Sequence, residues 1–498
     1  MTRDLYLAID VGTGGLRAAL VDRDGKILAI CHREHDQIVP RFGWSEQRPA
    51  DWWAGCIETI RDVLQRVGDA PGRVAAICAC GQMHGTVLID ADGHLTRDAA
   101  LLWNDKRTLE QVADFETRVP SGQYLHLTAN AAAPSWPAFK LAWIAEHDPG
   151  ALARAATLLM PKDYINFKLT GRRAQDWTEA SMSFLMDCKT RQWSGELAKL
   201  FGLKPGLLPE IRDPVSVLGP LQARPAARVG LSAGIPVLVG AGDYPVALLG
   251  SGVVSPGMGS DITGTSSIIT MIHDRPIIHP EVSNVATVAD TWGSLTLLDA
   301  GGDAVRWARR AFHQDRRSYA EISDAAGRSG AGSGKLFFLP YLSGERFGSG
   351  RNSRAQFFGL SAAHGLAELH RAVLEGVAFS VRQKMGAMQG GAGRPDRIVA
   401  AGGGAKSRPW LEIKASMYDT PYLVPEEPEC GVVGAGIMMA SATGDADGIK
   451  AGVRRMVRYG AEIRPDPGAV ATYNAMAPIY QDLYVAAQAF YNRLDALP

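Results

Sequence analysis

A chain of 498 residues is too long for one ordinary core, and at about 100–250 residues per domain it calls for two large domains. With 46% apolar and 21% charged residues, and 52 Lys plus Arg balancing 52 Asp plus Glu, it reads as a soluble globular protein. No global field draws it to nucleic acid or to an anionic membrane, so the expected partner is a small molecule.

The six cysteines (Cys31, Cys56, Cys78, Cys80, Cys188, Cys430) are scattered and read as reduced cytosolic thiols. The N-terminal MTRDLYLAIDVG lacks a basic-then-apolar leader. The most apolar window, 235–254, holds Asp243, two prolines and four glycines, so it is no membrane span. A cytoplasmic location is expected.

Residues 5–21 predict a strand, a glycine-rich turn and a second strand, with Asp24-Gly25 turning into a third. The turn runs Asp10-Val-Gly-Thr13-Gly14-Gly-Leu-Arg17. Its glycines let backbone N–H groups approach a phosphate, Thr13 adds a hydroxyl, Arg17 a cation, and Asp10 a carboxylate suited to magnesium. A lone turn of this kind is equally well explained as a tight hairpin. A polar loop, Phe42 to Pro49, leads into a helix with Trp52, Trp53, Ile57 and Ile60 on one side.

The strand Val74 to Cys80 empties into Gly81-Gln82-Met83-His84-Gly85, polar groups at a strand's C-terminal edge. His84 suits either an interior histidine bonded to a carbonyl or a ligand for a hydroxyl-rich molecule. Leu102-Trp103-Asn104-Asp105 offers a large ring and hydrogen-bonding groups. A helix begins within 135–147, Pro161 to Tyr164 follows a short strand, and 207–233 reads as a polar, proline-containing crossing.

At the centre, Ile235 to Val239 predicts a strand running into Gly240-Ala-Gly-Asp243, then a helix with Tyr244 and Pro245 in its first turn. Asp243 is either a helix N-cap or a general base at a strand's C-terminal edge. Eighteen residues on, Asp261-Ile-Thr-Gly264-Thr265-Ser266 repeats the polar glycine turn of Asp10. Two such hairpins suggest two homologous halves gripping one polyphosphate.

SGAGSGKL at 329–336 departs from a Walker loop at both ends, and the arginines at 306–317 read as a solvated helix face. Pro340 to Arg346 is a loop, and a long helix over 367–388 presents Leu369, Val373, Val377 and Val381. The strand Ile398 to Ala401 runs into Gly402-Gly403-Gly404-Ala405, a surface without side chains against which an adenine can lie or else a mobile turn. After Glu427-Pro-Glu429 comes a helix of small residues with Gly434 and Gly436.

In this order the motifs resemble the FGGY family of carbohydrate kinases, of the actin and sugar-kinase superfamily, and most closely its xylulokinase branch. Asp10 to Gly15 resembles the first phosphate motif, Asp261 to Ser266 the second, and Gly402 to Ser407 the adenosine motif; 135–147 and 358–375 resemble the two family signatures. Trp44 to Gln47, Gly81 to Gly85, Leu102 to Asp105 and Tyr341 to Arg346 point to the branch. The resemblance implies an α/β protein of two actin-like (ribonuclease H-like) domains, residues 1–242 and 243–498, each a mixed sheet flanked by helices, with a central cleft.

It further implies ATP and Mg2+, with Asp243 and Asp10 catalytic and Asp10 on the metal. Gln82, Met83, His84, Trp103, Asp243 and Tyr244 would meet the sugar. Thr13, Gly14, Arg17, Gly264, Thr265, Ser266, Gly403, Gly404 and Ala405 would meet the nucleotide. The expected reaction phosphorylates a primary hydroxyl of a ketopentose, first D-xylulose. Another ketose, a tetritol or a pentitol is the alternative, and an actin-like ATP-binding switch a remoter one. Family members are often dimers, so a homodimer is possible, although the sequence singles out no exposed apolar stripe. Two departures stand out: Tyr244-Pro245 replaces the branch's asparagine, which touches the sugar, and Ser416 stands where an aspartate is common.

Overall fold

The computed structural model describes residues 3–345, 352–389 and 393–497. Its first sheet is built from β1 (Leu5–Val11), β2 (Gly15–Asp22), β3 (Ile27–Glu34), β4 (Val74–Gly81), β5 (Val217–Pro220), β6 (Pro236–Leu238) and the two-residue β7 (Ala241–Gly242). The strand order is β5-β6-β4-β1-β2-β3, with β7 also on β4. The second sheet contains β8 (Met258–Thr263), β9 (Ser267–His273), β10 (Ser283–Ala286), β11 (Trp292–Leu298), β12 (Arg397–Ala401) and β13 (Tyr422–Leu423), in the order β10-β11-β9-β8-β12-β13.

The two sheets repeat one plan. β1 pairs antiparallel with β2 and parallel with β4; β8 pairs antiparallel with β9 and parallel with β12. Both are therefore mixed sheets, and each opens with a hairpin whose tip is one of the two glycine turns. The repeat expected from Asp10 and Asp261 is thus a repeat of architecture.

Helices cover both faces. α1 (Pro49–Arg66), α2 (Pro137–His147) and α3 (Asp243–Gly250) come from the first half; α4 (Gly301–His313), α5 (Leu366–Met388), α6 (Arg408–Tyr418), α7 (Cys430–Thr443) and α8 (Pro467–Asp495) from the second. A strand buried on both faces reads as an unbroken apolar run, which is why LYLAIDV shows little alternation. Its odd residues Leu5, Leu7 and Ile9 pack with Trp52, Cys56 and Ile60 of α1; its even residues Tyr6 and Ala8 pack with Val433 and Ile437 of α7.

The face under α7 is paved with Ala8, Ala19, Ala76, Cys78 and Cys80, small side chains that let a helix of glycine and alanine lie close. α3 shares that face through Val246 and Leu249. One layer of helices from both halves of the chain therefore rests on the first sheet.

Two expectations change. The stretch 207–233 is more than a crossing, since it contains β5 and a helix, Ala223–Val229. Its prolines concealed the strand, but Pro220 sits at the end of an edge strand, where a missing N–H leaves no central ladder bond unmade. The α8 helix leaves Ile479, Phe490 and Leu494 exposed, an apolar surface that the sequence did not single out. Among the described residues no helix is long and apolar enough to cross a membrane.

Candidate active site

The register of the first sheet gathers its chemistry at one edge. Asp10 lies opposite Cys80, Val11 opposite Gly81, and Gly81 opposite Gly242, so the C-terminal ends of β1, β4 and β7 run level. Asp243 is the next residue. β1 and β7 flank β4, which sets the backbones at Asp10 and Asp243 two strand spacings apart, roughly 10 Å. The N-cap of α3 is Gly242, without a side-chain cap, and Asp243 is the first helical residue. Its Oδ1 accepts the neighbouring Tyr244 N–H, at 2.7 Å, and among the described residues no other side chain claims the carboxylate.

Burial, reinforced by the charge of Asp10, pushes the Asp243 carboxyl up to about 7. A carboxylate so poised can take a proton near neutral pH and keep it. Behind it the corner is pinned: the Gly242 N–H donates to Thr178 Oγ1 at 3.0 Å, and Thr178 in turn donates its hydroxyl to Asp176. Asp176 pairs with the fully buried Lys162 at 2.8 Å.

The two hairpin aspartates have different fates. Asp261 is saturated by Lys414 and Tyr422, both at 2.8 Å on Oδ2, and by the Thr263 hydroxyl at 2.7 Å on Oδ1. Asp10 has one buried oxygen, Oδ1, with no hydrogen-bond partner among the described residues, and Oδ2 stands 3.8 Å from Arg17 Nε. Burial raises the Asp10 carboxyl above its usual range. An orphaned carboxylate oxygen at the cleft, near a second carboxylate, fits a divalent cation, and the saturated Asp261 does not. Arg17 also bridges the two halves of the chain by bonding Glu429 at 2.7 Å, a residue the sequence offered only as the prelude to a helix.

Gly264 and Thr265 at the second hairpin tip are anchored by the start of α4, whose Gly302 and Asp303 N–H groups donate to their carbonyls at 3.0 and 2.9 Å. Gly302 is obligatory here, because a Cβ would sit 2.1 Å from the Gly264 oxygen. The Gly301-Gly302-Asp303 run after a strand is the sequence signal for this anchor. Beside this tip opens a cavity of about 260 Å³ lined by Gly264, Thr265, Gly403, Gly404, Ser407 and Trp410. Gly404 packs edge-on to Thr263, with no room for a Cβ. Arg306 also lines the cavity and pairs with Asp303, so one arginine of the expected solvated face belongs to the cleft. Ser416 is buried, donates to the Glu412 carbonyl one turn back in α6 at 2.9 Å, and accepts the N–H of Asp466, the N-cap of α8, at 3.0 Å.

The first hairpin and the 81–85 loop form one network. Thr13 donates its hydroxyl to Gln82 Oε1 at 3.1 Å and accepts the indole N–H of the exposed Trp103 at 2.9 Å. Gln82 donates to Gln47 Oε1, and Gln47 to the Thr13 carbonyl. Both ends of the Gln82 amide are thus engaged within the protein. Met83 is buried against Gly242, where a Cβ would come within 2.8 Å of its side chain.

His84 has a φ of 64°, its Nδ1 bonds the Met182 carbonyl at 3.0 Å, and burial pulls its pKa down to about 3. It is therefore neutral, with Nδ1–H donating and Nε2 left as an acceptor. The Tyr244 hydroxyl bonds Thr270 of the second sheet, and the ring packs among Met83, Val285 and Leu248. Arg346 lies outside the described residues.

A cleft between paired glycine hairpins, with a near-neutral carboxylate on one wall and an apolar cavity on the other, defines a two-lobed phosphotransferase of the actin-like fold. Residues 5–250 match the N-terminal domain of the FGGY family of carbohydrate kinases and residues 260–443 its C-terminal domain. The chain belongs to this family and is a phosphotransferase with an alcohol group as acceptor. It is 26% identical to the xylulose kinase of Bacillus subtilis (strain 168) over 96% of both chains. The solved xylulose kinase from Rhodospirillum rubrum superposes with a TM-score of 0.92 at 28% identity, covering 98% of this chain and 100% of that one. The gluconate kinase from Lactobacillus acidophilus does so at 0.91 and 27%, with coverage of 98% and 100%. Kinases of this family use ATP, normally with Mg2+.

Proposed function

We propose that this protein transfers the γ-phosphoryl group of MgATP to a primary hydroxyl of a ketopentose, with D-xylulose giving the 5-phosphate as the first candidate. The observation that carries the mechanism is the uncommitted Asp243 carboxylate with a pKa near 7, level with Asp10 at one sheet edge. Asp243 accepts the hydroxyl proton as the sugar oxygen bonds to phosphorus; the bond to the β-phosphate oxygen breaks and ADP leaves. N–H groups and hydroxyls at the tips near Thr13, Gly14, Gly264, Thr265 and Ser266, with Arg17, stabilise the charge of the transferring group. Asp10 would hold the magnesium, which when bound neutralises phosphate charge.

The adenosine lies in the cavity beside Gly403, Gly404 and Ala405, and the sugar against Met83, His84 and Trp103. Gln82 acts behind them by holding Thr13. Division at 242/243 gives one lobe for the sugar and one for the nucleotide, and the six free, buried cysteines suit the cytoplasm.

One observation favours a second acceptor. The Tyr244 hydroxyl is spent on Thr270, so the sugar hydroxyl that the branch's asparagine would meet finds no amide here. A shorter or differently configured polyol, a tetritol or pentitol, is the alternative. ADP release with MgATP across ketopentoses, gluconate, glycerol and four- and five-carbon polyols decides between them. Strong turnover on D-xylulose supports the first reading, turnover on another polyol alone the second, and ATP hydrolysis that ignores every acceptor overturns both.

The base role fixes a pH dependence. Because the Asp243 pKa is raised to about 7, the protonated, inactive form prevails below that pH. The acceptor-dependent kcat/KM, which reports the free enzyme, is expected to rise about tenfold per pH unit up to about 7 and then level. A flat profile from pH 5 to 7 counts against Asp243 as the base.

A further inference from the structure

Lys140 on α2 is a charged side chain sealed inside the protein, 0% exposed. Its Nζ donates to the His84 carbonyl at 2.7 Å and more weakly to the Leu101 carbonyl at 3.5 Å. Among the described residues no carboxylate forms an ion pair with it; the neighbouring Asp105 is held by Arg107 at 2.7 Å. Burial pulls the ammonium down to about 7, against the upward pull of Asp105. Enclosing an ammonium without an acid is unfavourable, and a methionine would fill the same space without that cost, so packing alone does not account for the residue.

Its two acceptors supply the reason. They lie on different segments, the 81–85 loop and the short strand Ala100–Leu101 that leads into 102–105, and these segments carry Met83, His84 and Trp103. His84 occupies the left-handed region, uncommon for residues other than glycine although histidine enters it more readily than most, and a conformation of this kind is held by its surroundings. The same imidazole is bonded at Nδ1 by Met182 and lies 5.1 Å, between centroids, from the Trp136 ring that precedes α2. One helix thus supplies both a ring against the imidazole and a cation under its carbonyl.

We infer that Lys140 is a positioning residue for the acceptor: its Nζ, by donating to both carbonyls, holds the His84 peptide in the left-handed conformation and ties the two segments together, so that Nε2 faces an acceptor hydroxyl. The inference rests on the reading that these segments bind a neutral polyhydroxylated acceptor.

With whichever acceptor the wild type turns over, Lys140→Met is expected to raise the acceptor KM about tenfold or more, the scale of one charge-assisted hydrogen bond, with the KM for MgATP within twofold. In a His84→Ala background the same substitution adds no further rise, because its effect runs through His84. An unchanged acceptor KM in folded Lys140→Met, or full additivity with His84→Ala, overturns the inference. If Lys140→Met fails to fold, Lys140→Gln, whose amide is shorter and uncharged, replaces it: an acceptor KM above that of the wild type with the KM for MgATP within twofold supports the inference, and an unchanged acceptor KM overturns it.

Should no acceptor be turned over, the reading of the site fails by itself, and the positioning is read from the His84 Nδ1–H in NMR. A hydrogen-bonded signal in wild type that is lost to exchange in Lys140→Met supports it. Retention in the variant overturns it.

Discussion

Replacing Asp243 with asparagine is expected to lower turnover by ~10²-fold or more while leaving nucleotide binding intact. The two side chains are nearly isosteric, so the Oδ1 contact to the Tyr244 N–H survives and α3 keeps its start. What disappears is the capacity to take a proton. The nucleotide-side cavity is lined by Gly264, Thr265, Gly403, Gly404 and Trp410 of the second half, and Asp243 is not among its residues. Removing a charge that faces Asp10 also relieves repulsion between the two carboxylates. Coupled ADP release and a nucleotide titration on the same sample separate these effects. Turnover near that of the wild type would remove Asp243 from the base role, and loss of nucleotide affinity would make it a structural residue of the cleft.

Both hairpins were legible because each combines two sequence periods with a glycine tip: LYLAID and GLRAALV alternate or run apolar, and Gly12 to Gly15 can only turn. The corner at Asp243 was legible for the same reason. The resemblance put Asp10 rather than Asp261 on the metal, but the physical reason for that choice was not in the local pattern. Asp10 and Asp261 look alike in the chain, and only the folded structure brings Lys414 and Tyr422, more than 150 residues away, onto the second.

Tyr244 shows the same limit from the other side. As a residue beside the base it reads as a sugar contact, whereas its hydroxyl reaches Thr270 on the opposite sheet. Gln82 likewise reads as a ligand, and its amide oxygen accepts the Thr13 hydroxyl, a partner the local pattern did not reveal. Local grammar reveals where polar groups accumulate; the partner that claims each one is a long-range fact. The Gly301-Gly302 pair is different, since both glycines are visible in the sequence and are demanded by backbone approach at the second hairpin.

Gly250→Ala is expected to destabilise the protein by about 3 kcal/mol or more, the upper range for forced overpacking, and to lower activity in the molecules that remain folded. α3 and α7 cross with their backbones in contact. A Cβ at Gly250 would lie 1.8 Å from the Cys430 carbonyl oxygen, and one at Gly434 would lie 2.1 Å from that of Val246. Neither clash is with the movable end of a side chain, so relief requires one helix to slide. α7 is buttressed against the alanine-paved face of the first sheet, which leaves α3 to move. The first residue of α3 is Asp243, so the displacement reaches the carboxylate that faces Asp10.

Gly431→Ala provides the contrast. It lies on α7 one residue from Cys430, has open space around a Cβ, and exchanges the poorer helix former for the better, with an expected gain of up to about 1 kcal/mol. Urea midpoints of the two variants, measured beside the acceptor-dependent turnover of each, test the argument. If Gly250→Ala is as stable as Gly431→Ala, the close crossing of α3 and α7 is not what holds the two halves of the chain on one sheet.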